Sequence, residues 1–419
     1  MYLTWLDRLN ARMSIKNNNI DEYDAVASGG SSLSLSADLS SLRVAIVHYW
    51  FLSHSGGERV VEAFASLFPR ADLFALIARP ETMAPKLRDR KLSTSFLQKI
   101  PQVHKFHRHT LMLQPLALEQ FDLSDYDLVL SSESGPAKGI ITPPKAMHIC
   151  YCHSPMRYIW DMYPSYIRTM QPITRAIFSV AASYMRIWDY TTASRVDSFV
   201  CNSKFTASRV KKYYRRESEV IYPPVDVLSV VTSDQQEDFY LSVGRLVNYK
   251  RTDLAIEACK IMKRKLKIIG IGPEYKRLKK MADLNVEFLG SITDDEKHKV
   301  MDRCKALIFA GEEDFGIVPV EAQAHGKPVI AFGTGGVLET VNELGSYAHI
   351  KRVPTGVFFY EQSVASVVEA MVKFEANDYL FNRESIREHA LQFDAGVFHN
   401  RIRQFIENKV CDAKKRKEE

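Results

Sequence analysis

Two glutamates separated by seven residues, Glu313 and Glu321, stand in the stretch AGEEDFGIVPVEAQAHGKPVIAF. Glu313 belongs to the loop after the apolar run ALIFA, and Gly316 marks the start of a helix. Phe315, Gly316, Ile317 and Val318 therefore surround a helix N-terminus, whose first backbone N–H groups lack partners within the helix and suit an anion. A carboxylate in the loop can accept hydrogen bonds from sugar hydroxyls. Glu321 falls among Val318, Val320 and Ala324 on an otherwise apolar helix face, where an unpaired charge is costly and a ribose diol is a fitting partner. Either glutamate alone reads as a solvated or capping residue. The pair, with the glycine and the flanking strand pattern, reads as a binding loop.

Cations stand at a matching place. In SVGRLVNYKR, Gly244 frees the backbone just after an apolar run, and Arg245 and Lys250 follow as candidates to hold one diphosphate. Arginine brings a planar fork matched to phosphate oxygens, lysine a mobile point charge. Earlier, HSGGERV places Gly56 and Gly57 directly before a helix, which is either an ordinary strand-to-helix turn or a close approach to phosphate. His153, in CHSPMRYIW, ends another apolar run ahead of what reads as a proline-started helix, a position that favours contact with a ligand. Asp125-Tyr126-Asp127 has the D-x-D spacing of a metal site but leads straight into the apolar run LVLSS, the wrong context for one.

Elements that would position these residues are legible in the hydrophobic pattern. RVAIVHYW, ADLFALIA, DLVLSS, HICYCH and DSFVCNS read as strands separated by helical stretches such as GERVVEAFASLF, an alternation that implies a parallel sheet covered on both faces. A break falls at Tyr222-Pro223-Pro224, residues 225–237 are irregular, and DFYLSVGRL restarts the alternation through LKIIG, VEFLG, ALIFA and PVIAF. The expected class is α/β, with two Rossmann-like doubly wound domains facing across a cleft. In such sheets ligands bind beyond the carboxyl ends of the strands, where every candidate above lies. The expected divisions are an N-terminal extension (1–40), a first domain (41–224), a second domain (225–393), and a C-terminal helix with a charged tail (394–419) that can pack back on the first domain. Within the extension, Leu3, Trp5, Leu6, Leu9 and Met13 recur at helical spacing before a Ser/Gly/Asn-rich tract.

Length and composition agree. At 419 residues the chain exceeds one ordinary core. Hydrophobic residues at 46% and charged residues at 25% are ordinary globular values, and the net charge of +6 is a mild excess suited to anionic partners. Cys150 and Cys152 lack the spacing of a zinc knuckle, and the cysteines read as reduced thiols of a cytoplasmic protein. No run has the length of a membrane span, so membrane contact is expected to be peripheral, at the inner face of the cytoplasmic membrane. Two basic groups suggest where: Lys105 and Arg108 in an amphipathic segment with Phe106, Leu111, Met112 and Leu113, and Lys211 and Arg215 in a cluster with Lys204, Arg209, Lys212 and Arg216. No recognised nucleic-acid motif or array of stacking aromatics is present, so nucleic acid is not an expected partner.

Over residues 43–406 the chain resembles the family 4 retaining glycosyltransferases of the GT-B fold, in particular the bacterial polysaccharide mannosyltransferase branch. The resemblance rests on the E-x7-E pattern of Glu313 and Glu321 in EDFGIVPVE, followed by AxxxGKPVIA and TGGVLE. It implies that Glu313 holds donor-sugar hydroxyls, Glu321 the ribose, and Arg245 and Lys250 the diphosphate. It places Gly57 against the donor phosphates and His153 near the sugar's outer hydroxyls. Gly270-Ile271-Gly272-Pro273 and Leu289-Gly290 look like the nucleotide-base wall. CHSPMRYIWD resembles the mannosyltransferases, so GDP-mannose is the favoured donor and a lipid-linked saccharide the expected acceptor, in surface polysaccharide synthesis. No cofactor or metal is implied, since fixed cations and helix dipoles serve instead. A transferase using a UDP-sugar, a nucleotide-sugar epimerase and a non-catalytic binding protein are the competing readings.

Overall fold

The computed structural model describes residues 37–52, 56–168, 170–233, 235–345 and 353–418. The amphipathic stretch and polar tract read in residues 1–36 lie outside the described residues. Residues 1–41 are a unit of their own, of which Ala37–Ser40 is one helical turn. Residues 42–419 form the second, larger unit.

Those residues build two parallel sheets. The first runs β1 (Val44–Phe51), β2 (Asp72–Ala78), β3 (Leu92–Thr94), β4 (Leu128–Glu133), β5 (Met147–Cys152), β6 (Ser198–Cys201) and β7 (Ser218–Val220). Its spatial order is β3-β2-β1-β4-β5-β6-β7. The second contains β8 (Phe239–Val243), β9 (Lys265–Ile269), β10 (Val286–Gly290), β11 (Ala306–Phe309), β12 (Val329–Phe332) and β13 (Gly356–Phe359), ordered β10-β9-β8-β11-β12-β13. Both therefore reverse strand order beside their first strand, between β1 and β4 and between β8 and β11. Such reversals open a crevice above the strand ends, and ligands of this fold class bind there. Continuous apolar runs such as VAIVHYWF and ALIF form the central strands because both faces of a parallel sheet are buried. The edge strands β3, β7 and β13 escaped the sequence reading: β3 and β7 are three residues long and only partly buried, so neither leaves a hydrophobic signature, and β13 is a buried run of only four residues.

The chain crosses between the sheets twice, and the crossings pair. Val225 N donates to Phe393 O (3.2 Å), Ala395 N donates to Val225 O (2.9 Å), and the Asp394 carboxylate accepts from Val227 N and Leu228 N. The helix Ala395–Glu418 then returns to the first sheet, with the Phe398 ring 5.8 Å from Tyr151 of β5 and Arg401 donating to Val220 O. It continues as helix through the charged run after Val410.

Two local expectations need correcting. The amphipathic segment around Lys105 is no continuous helix but a chain of short turns, 96–99, 103–106, 107–113 and 114–119, broken by Pro101 and by Gln102 at positive φ. Likewise, no helix starts at Pro155. The chain after His153 runs in turns until the helix Tyr163–Arg168.

Candidate active site

The two reversals face each other. The helix after β1 begins with Gly56 and Gly57, His153 directly follows β5, and the loop and helix start after β11 bring Glu312 to Val318. Together with Tyr49, Ser134, Arg157, Tyr158 and Tyr249 these line a cavity of about 370 Å3. The helix Gly56–Leu67 and the helix Ile317–Ala324 both present their N-termini to it, and Gly56 lies directly against the Ile317 side chain. Two opposed helix N-termini concentrate unpaired N–H groups and positive partial charge on one place.

Glu313 is fixed from behind. Gly335, at φ +77°, approaches so closely that a Cβ there would collide with Glu313 O, and Gly336 N donates to the same carbonyl at 2.9 Å. The TGGVLE run thus serves as a backbone plug that holds the acidic loop in place. From the front, the Glu313 carboxylate is ion-paired with the Lys250 ammonium. Burial pushes the Lys250 amine down to about 8, and the nearby Asp314 carboxylate opposes that shift. His153 is held by contact of its Nε2 with the Ser132 hydroxyl (2.9 Å), and burial pushes its pKa down to about 3. The imidazole is accordingly neutral at physiological pH and meets a ligand as a dipole. Gly57 lies beside it: a Cβ there would stand 3.7 Å from His153 Nε2 and 3.5 Å from the Tyr49 hydroxyl oxygen.

Of the residues singled out from sequence, Gly57, His153, Glu313, Phe315, Gly316, Ile317 and Val318 line this cavity, and Lys250 reaches it through Glu313. Arg245 does not share that position. It is exposed at the end of β8, close enough to His107 of the facing domain to help lower that imidazole's pKa. Gly244 sits beside Lys250, with a Cβ position 3.8 Å from its Cε and Nζ. The loops after β8, β9 and β10 run side by side, Gly244 N donating to Ile269 O and Gly270 N to Gly290 O. Gly272 is pressed against the Leu246 backbone, which accounts for that glycine by packing, whereas Gly290 has open space where a side chain would be.

Glu321 requires a correction. It is buried, 4% exposed, but it is not the unpaired charge expected from its apolar neighbours. Lys297 donates to its Oε1 at 3.1 Å and Arg59, from the other domain, stands 3.4 Å from the same oxygen. It does not line the cavity. The second basic group also changes meaning. Arg209 is buried and paired with Asp314, Glu312 and Asp161, and Arg216 donates to the carbonyls of Ala193 and Val196. Of the rest, Lys211 pairs with Glu217 and Arg215 is exposed. The Asp125-Tyr126-Asp127 triplet sits at the opposite end of β4 from the cavity, its carboxylates engaged by Arg43.

The sequence reading missed an interdomain clamp. Arg157 donates to Glu312 Oε1 at 2.6 Å, Arg209 contacts the same oxygen at 3.1 Å and pairs with Asp314, and Asp161 completes the cluster. The signal was present in three successive carboxylates, Glu312, Glu313 and Asp314, in an apolar segment that had to find cationic partners.

Both halves of the chain match known families. Residues 54–227 match the Glycosyltransferase Family 4 model and residues 229–393 match Glycosyl transferases group 1. The chain belongs to the family 4 glycosyltransferases and carries their two-domain GT-B fold. Among curated relatives, the human Alpha-1,3/1,6-mannosyltransferase ALG2 is 30% identical over 258 residues, 52% of this chain and 60% of that protein. An uncharacterized glycosyltransferase of Methanocaldococcus jannaschii, MJ1178, is 33% identical over 150 residues, 35% of this chain and 42% of that protein. The matched stretches thus span about 40 to 60% of the curated relatives' own lengths. Among solved structures, Anabaena HepE in complex with UDP and glucose matches with a TM-score of 0.61 at 14% identity, over 87% of this chain and 99% of that one. WaaG, a glycosyltransferase involved in lipopolysaccharide biosynthesis, matches with a TM-score of 0.61 at 16% identity and the same coverages. These two likenesses concern the fold.

Proposed function

We propose that the chain transfers a hexose, with mannose from GDP-mannose favoured, to a lipid-linked saccharide with retention of anomeric configuration, in the assembly of a surface polysaccharide. The observation that carries the transferase reading is the Glu313–Lys250 pair held between two opposed helix N-termini at the strand-order reversals. Donor diphosphate would lie against those N-termini and Gly57, with Lys250 releasing Glu313 to bind it. Glu313, freed from its ion pair, would accept hydrogen bonds from the donor sugar's hydroxyls, and neutral His153 would contact the sugar from the opposite wall. As the bond from the anomeric carbon to the β-phosphate oxygen breaks, negative charge grows on the diphosphate, where the lysine and the N-termini already stand. The acceptor hydroxyl attacks from the face the diphosphate leaves, and its proton passes to the departing phosphate oxygen. The preference for mannose is supported by the resemblance to the ALG2 mannosyltransferases and by Ser154, Pro155, Arg157 and Tyr158 of the CHSPMRYIWD run lining the cavity.

Incubation with GDP-mannose and a polyprenyl-diphosphate-linked oligosaccharide, followed by NMR of the product, tests this. An α-mannosidic product is expected. A β-linked product would remove retention, and a sugar still attached to nucleotide but altered in configuration would make the chain an epimerase instead.

A further inference from the structure

The helix Pro172–Thr192 buries one side and leaves the other bare. Ala182, Met185 and Trp188 enter the core of the first domain, while Ile173, Ile177, Val180, Tyr184 and Ile187 are 45 to 77% exposed. Their alternating steps of four and three residues place all five on one stripe, about 20 Å long at the rise of an α-helix. The stripe is extended sideways. The turns of residues 107–119 pack against this helix, with Leu111 and Met185 in one core and Trp188 donating to Glu119 at 3.1 Å. They expose Met112, Leu113 and Leu116 in turn.

Charge decides what such a face would meet. Residues 90–118 and 162–188 contain neither aspartate nor glutamate, although the chain has 50 of them in 419 residues. The same stretches expose Lys105, Arg108 and Arg168, along with Tyr166 and Tyr184. A second copy of the chain docked here would set cations against cations. An anionic bilayer takes apolar residues into its acyl boundary, tyrosines at the headgroup level and cations against lipid phosphate.

We propose that the exposed stripe of helix 172–192, with the turns around residues 106–116, is a docking face for an anionic lipid bilayer. Of the basic residues expected to touch lipid, Lys105 and Arg108 belong to it, while Lys211 and Arg215 stand on the separate helix Lys204–Tyr214 and just beyond its end. The inner flank of helix 172–192 leads on to the cavity. Tyr163 stacks on Phe178 of the helix at 6.1 Å, and the neighbouring Met162 and Tyr166 line the cavity wall. For its use in catalysis the proposal rests on the transferase reading: a lipid-anchored acceptor would reach the cavity along this edge without leaving the membrane.

Co-sedimentation of the full chain with vesicles of phosphatidylcholine, with and without phosphatidylglycerol, tests the docking. The variants are Ile177→Asp/Val180→Asp/Ile187→Asp and Lys105→Ala/Arg108→Ala, checked for folding by circular dichroism and for nucleotide-sugar binding by calorimetry. All five positions lie outside the donor cavity. The wild type is expected to partition onto phosphatidylglycerol vesicles and not onto phosphatidylcholine alone, with partitioning reduced about tenfold in each variant and donor affinity unchanged. Equal sedimentation of wild type and triple variant would overturn the proposal. So would a wild type that ignores both vesicles and instead forms a dimer that the triple variant dissolves. Loss of donor binding in the wild type with vesicle binding intact would sink the transferase reading and leave the docking face standing.

Discussion

At the scale of single residues, the cavity is a contest between Lys250 and its surroundings. Burial lowers its pKa to about 8, so the charged form fades as pH rises through that value. The proposed anionic donor would depend on that charge. Donor affinity is therefore expected to fall between pH 7 and 9, and Lys250→Arg, whose cation does not titrate in this range, should flatten the profile. Calorimetric titration across that range checks it, and an equally steep profile in the arginine variant would point to another group. Glu313 was legible in sequence because its spacing to Glu321 is a pattern. The pairing of Glu321 with Lys297 and Arg59 was not, because both cations come from distant helices that only the fold brings near. The exposed position of Arg245 was illegible for the same reason.

Among the elements, strand ends carry the site, and their identity followed from apolar runs long enough to be buried on both faces. The failures fell where the pattern is short or interrupted: the edge strands β3, β7 and β13, and the broken segment at residues 96–119. A loop plug such as Gly335 leaves only a glycine in the sequence, with no indication of what it approaches. Gly335→Ala has to relieve both a left-handed backbone and a collision with Glu313 O, and should cost about 1 to 3 kcal/mol of stability. It should also weaken donor binding by displacing Glu313, and denaturant unfolding beside a donor titration would separate these effects. Burial also acts through histidines on the first sheet. His148 of β5 and the adjoining His153 are pushed down to about 4 and about 3, both by burial. The unfolded chain takes up these protons near pH 6.5 and the folded one does not, so their contribution is intact above that pH and is lost as pH falls toward 4. The loss approaches about 1.4 kcal/mol per pH unit for each group once the unfolded histidine is protonated. Urea midpoints measured from pH 7 to 4 should fall accordingly, whereas a flat profile would mean that the folded protein can accommodate the charged rings.

At the scale of the whole molecule, two doubly wound domains meet across a cleft and are tied by Arg157 and Arg209 on Glu312 and Asp314. The clamp is partly buried, so removing one cation strands carboxylates that water reaches poorly. Arg209→Ala should destabilise by about 2 kcal/mol or more and loosen the domains, seen as a larger radius of gyration in solution scattering. An unchanged radius and stability would show that the paired crossings at Val225 and Asp394 hold the domains without it. The division into two α/β units was plain from the repeated alternation and the break at Tyr222-Pro223-Pro224, but their mutual grip depends on side chains far apart in sequence. That grip sets the cavity in which the proposed donor would bind. The most direct measurement is calorimetric titration of the purified protein with GDP-mannose, UDP-glucose and UDP-N-acetylglucosamine, with Lys250→Ala and Glu313→Gln beside the wild type. Binding of a nucleotide sugar, strongest for GDP-mannose and weakened about tenfold or more in both variants, is the expected result. Affinity for a nucleotide sugar that neither variant alters would contradict the placement of the donor between the two helix N-termini.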